Sequence, residues 1–146
     1  MIQLTINGQS VAAEEGLTIL QVAKRAGIRI PTLCYLENVS SIGSCRMCVV
    51  EVEGSDKLLT ACNTAAKDGM VIETMSERVV DARKSMLHLL LSNHPPDYFS
   101  CYTDGSCELR ALCLEYGVEL PKYHGTQYDI KEPVLDSHPF MGYRTE

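Results

Sequence analysis

Residues 34–62 read CYLENVSSIGSCRMCVVEVEGSDKLLTAC, and this stretch decides how the chain is interpreted. It contains four cysteines with the spacing C-x10-C-x2-C-x13-C, at positions Cys34, Cys45, Cys48 and Cys62. Thiolates are soft anionic ligands, and four of them can complete either an iron–sulfur cluster or a zinc site. The stretch therefore predicts a metal centre built from one long loop and one returning segment.

The spacing of the cysteines favours iron–sulfur chemistry. Structural zinc sites usually carry two short C-x2–4-C pairs, whereas here only Cys45 and Cys48 form such a pair. A four-cysteine zinc site and unrelated buried thiols are the alternative interpretations. We expect Cys45 and Cys48 to share one iron, which leaves Cys34 and Cys62 for the other. Gly43 and the serines beside it would let backbone N–H groups reach the sulfides of the cluster, and such hydrogen bonds stabilise a reduced cluster.

The first part of the chain predicts a hairpin followed by a helix. Apolar and polar residues alternate over residues 2–6, and Asn7-Gly8 is a strong signal for a two-residue turn into a second strand. Thr18 with Gln21 matches a capping box at the start of a helix, which a glycine then ends. The hairpin and the helix are expected to pack against each other.

Two further strands are predicted beyond the short cysteine pair, at Val49–Val52 and Met70–Thr74. Ser76 can cap a second helix that runs through Leu91. The predicted apolar stripe of that helix consists of Val79, Val80, Met86, Leu87 and Leu90. A short third helix over residues 106–116 follows and ends at a glycine.

These patterns divide the chain into three predicted parts. Residues 1–75 form a first domain with strands and one helix, and residues 76–119 form a small helical module with histidine and cysteine. Residues 120–146 are polar and aromatic without periodicity, which indicates an extended tail that docks on another surface.

The cysteine pattern, with IPTLCYLE before it and GSCRMC within it, resembles the [2Fe–2S] domain of a known family. That domain begins the large subunit of NADH:quinone oxidoreductases, iron-only hydrogenases and some NAD-linked formate dehydrogenases. The plant-type ferredoxin pattern is related but has a shorter first gap. Pattern and resemblance together predict an α+β chain with a β-grasp ferredoxin-like domain, whose four cysteines hold a [2Fe–2S] cluster.

The later text HPPDYFSCYTDGSCEL is similar to the family's next module, HP-x-D-C-x2-C-x3-G-x-C-E-L. In the family this module binds a [4Fe–4S] cluster through one histidine and three cysteines. The resemblance maps three ligands onto His94, Cys101 and Cys107. Tyr98 stands where the family has its first cysteine.

Three interpretations of this second site are open. A fourth ligand could come from Asp97, Tyr98 or Cys113, and tyrosine oxygen does ligate iron in some haem proteins. Cys113 is six residues beyond Cys107, so the two do not share one helix face cleanly. Alternatively, three ligands hold a [3Fe–4S] cluster or a cluster with one open iron. In the third interpretation, the site holds no metal.

Composition excludes several functional classes. The net charge of −6 disfavours nucleic acid as a partner, because phosphate binding needs a basic face. The seven cysteines are an odd number and no signal peptide is recognised at the start, so a disulfide framework is not expected. No apolar run predicts a membrane span. The sequence therefore predicts a cytoplasmic protein.

No nucleophile–base pair or phosphate loop stands out, so the chain is not expected to be catalytic alone.

The resemblance implies an electron-transfer subunit of a larger oxidoreductase. The implied partners are a flavoprotein subunit that binds FMN and NAD(H), a thioredoxin-like [2Fe–2S] subunit, and a catalytic subunit. That catalytic subunit would be of the hydrogenase, formate dehydrogenase or aldehyde oxidoreductase type. The phrase DSHPFMGYR looks like the family's connector to further clusters, whereas this sequence ends at Glu146. A free [2Fe–2S] ferredoxin shuttle and a zinc-stabilised structural module are the alternative functions.

Overall fold

The computed structural model describes residues 1–94, 107–119 and 121–123 of the chain. Its first two strands, β1 (Ile2–Ile6) and β2 (Gln9–Ala13), pair antiparallel. Asn7 and Gly8 connect them with φ angles of 50° and 78°, both in the left-handed region that a type I′ turn needs. The predicted hairpin is therefore confirmed. The Asn7 side chain also holds the turn in place, because it exchanges two 2.8 Å hydrogen bonds with Thr74.

The first helix, α1 (Ile19–Arg25), begins with the predicted capping box. The Thr18 hydroxyl accepts a hydrogen bond from the backbone of Gln21, and the Gln21 side chain accepts one from the backbone of Thr18. The apolar residues of α1 turn toward the sheet and are buried, namely Ile19, Leu20, Val22 and Ala23. The helix is thus fixed at its start by polar bonds and along its length by burial.

Three more strands complete the sheet: β3 (Val49–Val52), β4 (Leu59–Thr60) and β5 (Val71–Glu73). The strand order is β2-β1-β5-β3-β4, in which β1 and β5 are parallel and the other neighbours antiparallel. This mixed sheet packs on α1, as the β-grasp prediction requires. The strand β4 was not predicted, because two residues are too few to show an alternating pattern.

The helical module contains α2 (Glu77–Ser92) and α3 (Glu108–Tyr116). Ser76 caps α2 as predicted, with its hydroxyl accepting from the backbone N–H of Val79. The third helix was predicted from residue 106, whereas Cys107 is its N-cap and Gly117 ends it in the left-handed conformation. None of the described helices is long and apolar enough to cross a bilayer.

The buried face of α2 differs from the predicted stripe. The fully or nearly fully buried residues of the helix are Val79, Arg83, Leu87 and Leu91, at a spacing of four residues. Leu90, which the sequence pattern assigns to the stripe, is 38% exposed. The difference arises because Arg83 occupies the centre of the buried face. A prediction based on apolar residues assigns a charged residue to the exposed side of the helix.

Two hydrophobic cores meet at the cysteine loop. The first lies between the sheet and α1 and includes the side chains of Cys48 and Cys62. The second lies between α2, α3 and the loop, and Met47 is fully buried in it together with Leu87 and Leu112. The predicted boundary between residues 75 and 76 coincides with the start of α2, and the three-part division stays a prediction. Of the predicted tail, only residues 121–123 are described.

Candidate metal centre

The four predicted ligands come from three places in the fold. Cys34 lies on the long loop after α1, Cys45 and Cys48 directly precede β3, and Cys62 follows β4. Cys48 and Cys62 are each 1% exposed, whereas Cys34 and Cys45 are partly exposed. The fold therefore places two buried thiols next to the ends of strands β3 and β4, together with two half-buried thiols on the loop.

The thiols lie in two pairs that differ from the expected ones. The backbone N–H of Cys45 donates to Sγ of Cys34 over 3.4 Å, and their side chains are also hydrogen bonded. Cys62 lies close enough to Cys48 for that thiol to raise its pKa. The expected sharing of one iron by Cys45 and Cys48 is therefore not supported by the geometry. The reason is that Cys48 points into the first core while Cys45 packs against the second.

The pKa of Cys45 shows that its surroundings suit a thiolate. Burial alone would raise this pKa, but hydrogen bonds from the Met47 backbone, the Cys34 side chain and the backbones of Leu33 and Cys34 bring it below the ordinary value. Donors aimed at sulfur stabilise the anion that a metal needs. Backbone N–H groups therefore reach the thiol sulfur of Cys45, and their approach to the sulfides of a cluster stays a prediction.

Cys62 shows the opposite shift for a reason that also involves the whole set. Burial raises its pKa to about 12, with further contributions from the hydrogen bond to Cys48 and from the charges of Cys48, Cys34 and Cys45. The other three thiols are thus close enough to Cys62 to act on it electrostatically. Four crowded thiolates repel, and bound metal cations would remove that repulsion.

Gly43 allows the loop to pack against the segment that carries Cys62. Its φ angle is 66°, and a Cβ atom there would stand 2.9 Å from Nδ2 of Asn63 and 3.3 Å from Oγ1 of Thr60. Thr60 in turn donates a hydrogen bond to the Asn63 side chain. A residue with a side chain could not fill this position without displacing the side chains of Asn63 and Thr60.

These residues fit a [2Fe–2S] cluster. Each iron of such a cluster takes two protein thiolates, which matches the two observed pairs. Within residues 1–94, 107–119 and 121–123, no three His, Cys, Asp or Glu side chains gather as a site for a single metal ion. A two-iron cluster does not require such a gathering. In this fit, Cys34 and Cys45 would hold one iron and Cys48 and Cys62 the other.

The second predicted site is only partly described. His94 follows the end of α2, where its backbone N–H donates to the carbonyl of Leu91 over 3.0 Å. Cys107 is the N-cap of α3. Cys113, a candidate fourth ligand, is fully buried in the second core, and about 9 Å of helix rise separates it from Cys107. The other candidates, Asp97, Tyr98 and Cys101, lie outside the described residues.

Sequence reasoning missed Arg83, which the structure places beside the metal centre. Its guanidinium is fully buried and donates to the backbone carbonyls of Met47 and Val49, the residues on either side of Cys48. The available signal was its spacing, since Arg83 stands four residues from both Val79 and Leu87 on the apolar face of α2.

Family comparisons agree with both parts of the chain. The family described as "2Fe-2S iron-sulfur cluster binding domain" matches residues 1–77. The family described as "NADH-ubiquinone oxidoreductase-G iron-sulfur binding region" matches residues 83–121. The [2Fe–2S] part and the 4Fe–4S-type part of the sequence prediction are therefore both confirmed at the level of the family.

Individual relatives are large oxidoreductase subunits. An NADH-quinone oxidoreductase subunit of Rhizobium meliloti is 47% identical over 80% of this chain. The NADPH-Fe(3+) oxidoreductase subunit alpha of Geobacter sulfurreducens is 40% identical over 95% of it. The NADP-reducing hydrogenase subunit HndD of Solidesulfovibrio fructosivorans is 45% identical over 86% of it. The chain spans only 14%, 17% and 22% of these relatives' lengths, respectively.

A solved structure shares the fold. A chain of an NAD+-reducing [NiFe]-hydrogenase, crystallised in the H2-reduced state, superposes with a TM-score of 0.76 and 30% identity. The match covers 86% of this chain and 53% of the hydrogenase chain. Fold, cysteine geometry and family matches agree, and the chain belongs to the family of 2Fe-2S cluster-binding domains found in subunits of NAD(P)-linked oxidoreductases.

Proposed function

We propose that this chain is an electron-transfer subunit that relays electrons between an NAD(H)/flavin subunit and a catalytic subunit of a larger oxidoreductase. A [2Fe–2S] cluster held by Cys34, Cys45, Cys48 and Cys62 would supply the chemistry, which is the uptake and release of one electron at a time. The protein's own part is to hold the four thiolates, to direct N–H groups at them, and to keep water away from the buried pair.

The observation that carries this proposal is the arrangement of the four thiols. They form two pairs, one half-buried and one buried, and the other three thiols all act electrostatically on Cys62. The pair on the long loop lies nearer to solvent than the pair under the sheet. An electron could therefore enter or leave on the loop side without the protein opening.

The surface beside the half-buried pair supports contact with a protein partner. Leu36, Val39 and Ile42 on the cysteine loop are 60%, 76% and 71% exposed. Exposed apolar residues grouped on one loop are typical of a surface that another protein covers. A subunit that docks there would lie against the side of the centre where Cys34 and Cys45 are found.

The identity of the partners is part of the proposal. They would be a flavoprotein subunit with FMN and NAD(H), a thioredoxin-like [2Fe–2S] subunit, and a catalytic subunit of the hydrogenase, formate dehydrogenase or aldehyde oxidoreductase type. The relatives' names support this choice, since they include an NADH-quinone oxidoreductase subunit and an NADP-reducing hydrogenase subunit. A cytoplasmic location stays a prediction.

A second cluster at His94, Cys101 and Cys107 is proposed on the match of residues 83–121 to the 4Fe–4S-type region. Its fourth ligand would come from Asp97 or Tyr98, because Cys113 is enclosed in the second core. A [3Fe–4S] cluster would need no fourth ligand. Iron analysis distinguishes the outcomes, since about two irons per chain correspond to the first cluster alone and about five or six to both.

The ligand assignment is tested with one variant and one matched control. We expect Cys62→Ser to lose the [2Fe–2S] EPR signal of the dithionite-reduced protein, because serine oxygen is a poor substitute for the soft thiolate. Cys113→Ala, which removes a buried thiol of the second core, should keep that signal. An unchanged [2Fe–2S] spectrum in Cys62→Ser would refute the assignment.

A free ferredoxin shuttle is the rival function within the same chemistry. A subunit should co-purify with a flavoprotein when it is isolated from its native source under mild conditions, because the exposed loop residues would be covered. Purification as a stable monomer that exchanges electrons with separate enzymes would favour the shuttle. A colourless protein with one bound zinc would contradict both functions.

A further inference from the structure

Arg83 is a charged side chain buried completely in the middle of α2. Its Nε donates to the carbonyl oxygen of Met47 over 2.9 Å, and its Nη2 donates to that of Val49 over 2.8 Å. Its Nη1 donates to the hydroxyl of Tyr116 over 2.9 Å. The ring of Tyr116 lies 6.0 Å from the guanidinium carbon, within range of a cation–π contact.

All these partners are neutral, so they satisfy hydrogen bonds without balancing the charge. The described ion pairs join exposed side chains elsewhere, and none in the described part of the chain includes Arg83. Burying a cation is costly unless an opposite charge lies near it. The protein must therefore supply a negative group close to this guanidinium, or the arginine would destabilise the fold.

The two carbonyls place the guanidinium beside the backbone of Cys48. Met47 and Val49 are the neighbours of Cys48 in the chain, so the guanidinium spans the backbone on both sides of a proposed ligand. A [2Fe–2S] cluster with four thiolates is anionic, and its negative charge increases by one when it is reduced. A fixed cation beside it favours the reduced form.

We propose that Arg83 is the buried counter-charge of the [2Fe–2S] cluster and sets its reduction potential. The inference deepens the proposed function and rests on it. In the step concerned, one electron from the reduced flavin of the proposed partner subunit would enter the cluster, with no bond formed or broken and no proton taken up, because the guanidinium is already charged. Arg83 is a positioning and charge-compensating residue, since it acts through the backbone of Cys48 and through its field.

The arrangement also connects the helical module to the centre. Arg83 extends from α2, its phenol partner Tyr116 is in the last turn of α3, and its carbonyl partners are in the cysteine loop and β3. Any partner that moves α2 relative to the loop would change the distance between the guanidinium and Cys48. The potential of the cluster would then respond to docking on the helices.

The test compares the midpoint potentials of two variants with that of the intact chain, measured by EPR-monitored redox titration. Arg83→Lys keeps the charge, and Arg83→Gln keeps a polar donor without charge. At the wild-type midpoint potential, we expect the ratio of reduced to oxidised cluster to fall at least about threefold in Arg83→Gln. The fall should be smaller in Arg83→Lys. A tenfold change in this ratio corresponds to a shift of about 59 mV in the midpoint potential for one electron. Equal shifts in both variants would overturn the proposal.

Tyr116→Phe serves as the packing control, because it disturbs the same buried network and leaves the charge in place. Its midpoint should stay near the wild-type value, and a shift as large as that of Arg83→Gln would attribute the effect to packing and contradict the proposal. Loss of the cluster in Arg83→Gln alone, with retention in Arg83→Lys, would support a requirement for the charge. Loss in both would assign Arg83 a hydrogen-bonding role only and overturn the proposal.

The EPR signal of the intact chain shows whether a negative result concerns the role of Arg83 or the proposed function itself. If the intact chain gives no [2Fe–2S] signal, the assignment of the cluster itself is wrong. If the intact chain gives the signal and Arg83→Gln has an unchanged midpoint with full cluster content, only the role of Arg83 is wrong.

Discussion

At the scale of single residues, the metal centre depends on how each thiol is turned by its neighbours. Arg46 stands between the short cysteine pair with a φ angle of 56°, in the left-handed region that few residues with a side chain adopt. This reversal separates the directions of Cys45 and Cys48. As a result, neighbouring cysteines in the sequence join different pairs in space.

Gly43 provides a stability prediction at this scale. Gly43→Ala would place a left-handed φ on alanine, a strain of about 1–2 kcal/mol, and would also push Cβ against Asn63 and Thr60. We expect the visible absorbance of the cluster to bleach several times faster in denaturant than in the wild-type protein. Bleaching rates are the appropriate measure, because cluster loss makes unfolding irreversible.

Gly54→Ala is the matched control for that prediction. Gly54 has a similar φ angle of 80°, but no atom lies within 4 Å of the place where its Cβ would be. It should bear the backbone strain alone and bleach only slightly faster than the wild-type protein. Equal rates in the two alanine variants would show that the contact of Gly43 with Asn63 has no role in holding the loop.

At the scale of elements, the helical module is held to the ferredoxin-like unit mainly by burial. Nη1 of Arg29 donates to both carboxylate oxygens of Glu115 in α3, over 2.7 and 2.8 Å. The Arg29 side chain is 66% exposed and that of Glu115 is 38% exposed, and such surface pairs contribute about 0–1 kcal/mol. Met47, fully buried between the helices, makes the larger contribution because burying a methionine stabilises by about 1.5–3 kcal/mol.

Met47→Ala tests that comparison. The substitution would leave a cavity in the second core, and such losses typically cost about 2–5 kcal/mol. We expect a clear fall in the thermal midpoint of the holoprotein, measured by circular dichroism at a fixed scan rate. Leu89→Ala, at a position on α2 that is 47% exposed, should change the midpoint little. Similar midpoints for the two variants would mean that the loop does not depend on the helices.

At the scale of the whole molecule, local signals predicted the elements and missed the contacts between them. The Asn7-Gly8 turn, the Thr18–Gln21 capping box and the Ser76 cap are determined by a few adjacent residues, and the structure contains all three. Short-range chemistry of this kind can be read directly from a sequence. The general β-grasp arrangement was predicted from the order of those elements together with the family resemblance.

The features that the sequence did not reveal depend on distant residues. The pairing of thiols is set by which core each side chain enters, and the short strand β4 exists because β3 lies beside it. From the sequence alone, Arg83 would be assigned to the surface. In the structure it donates to the carbonyls of Met47 and Val49, which are 36 and 34 residues earlier in the chain. The proposed ligands of a second cluster could be predicted only through the family motif, because His94 follows α2 and Cys107 is the N-cap of α3.

Iron and acid-labile sulfide analysis of the intact chain, combined with EPR of the dithionite-reduced protein, tests the central claim most directly. We expect a [2Fe–2S] signal and about two or more irons and sulfides per chain. A colourless protein without labile sulfide and without an EPR signal on reduction would contradict it.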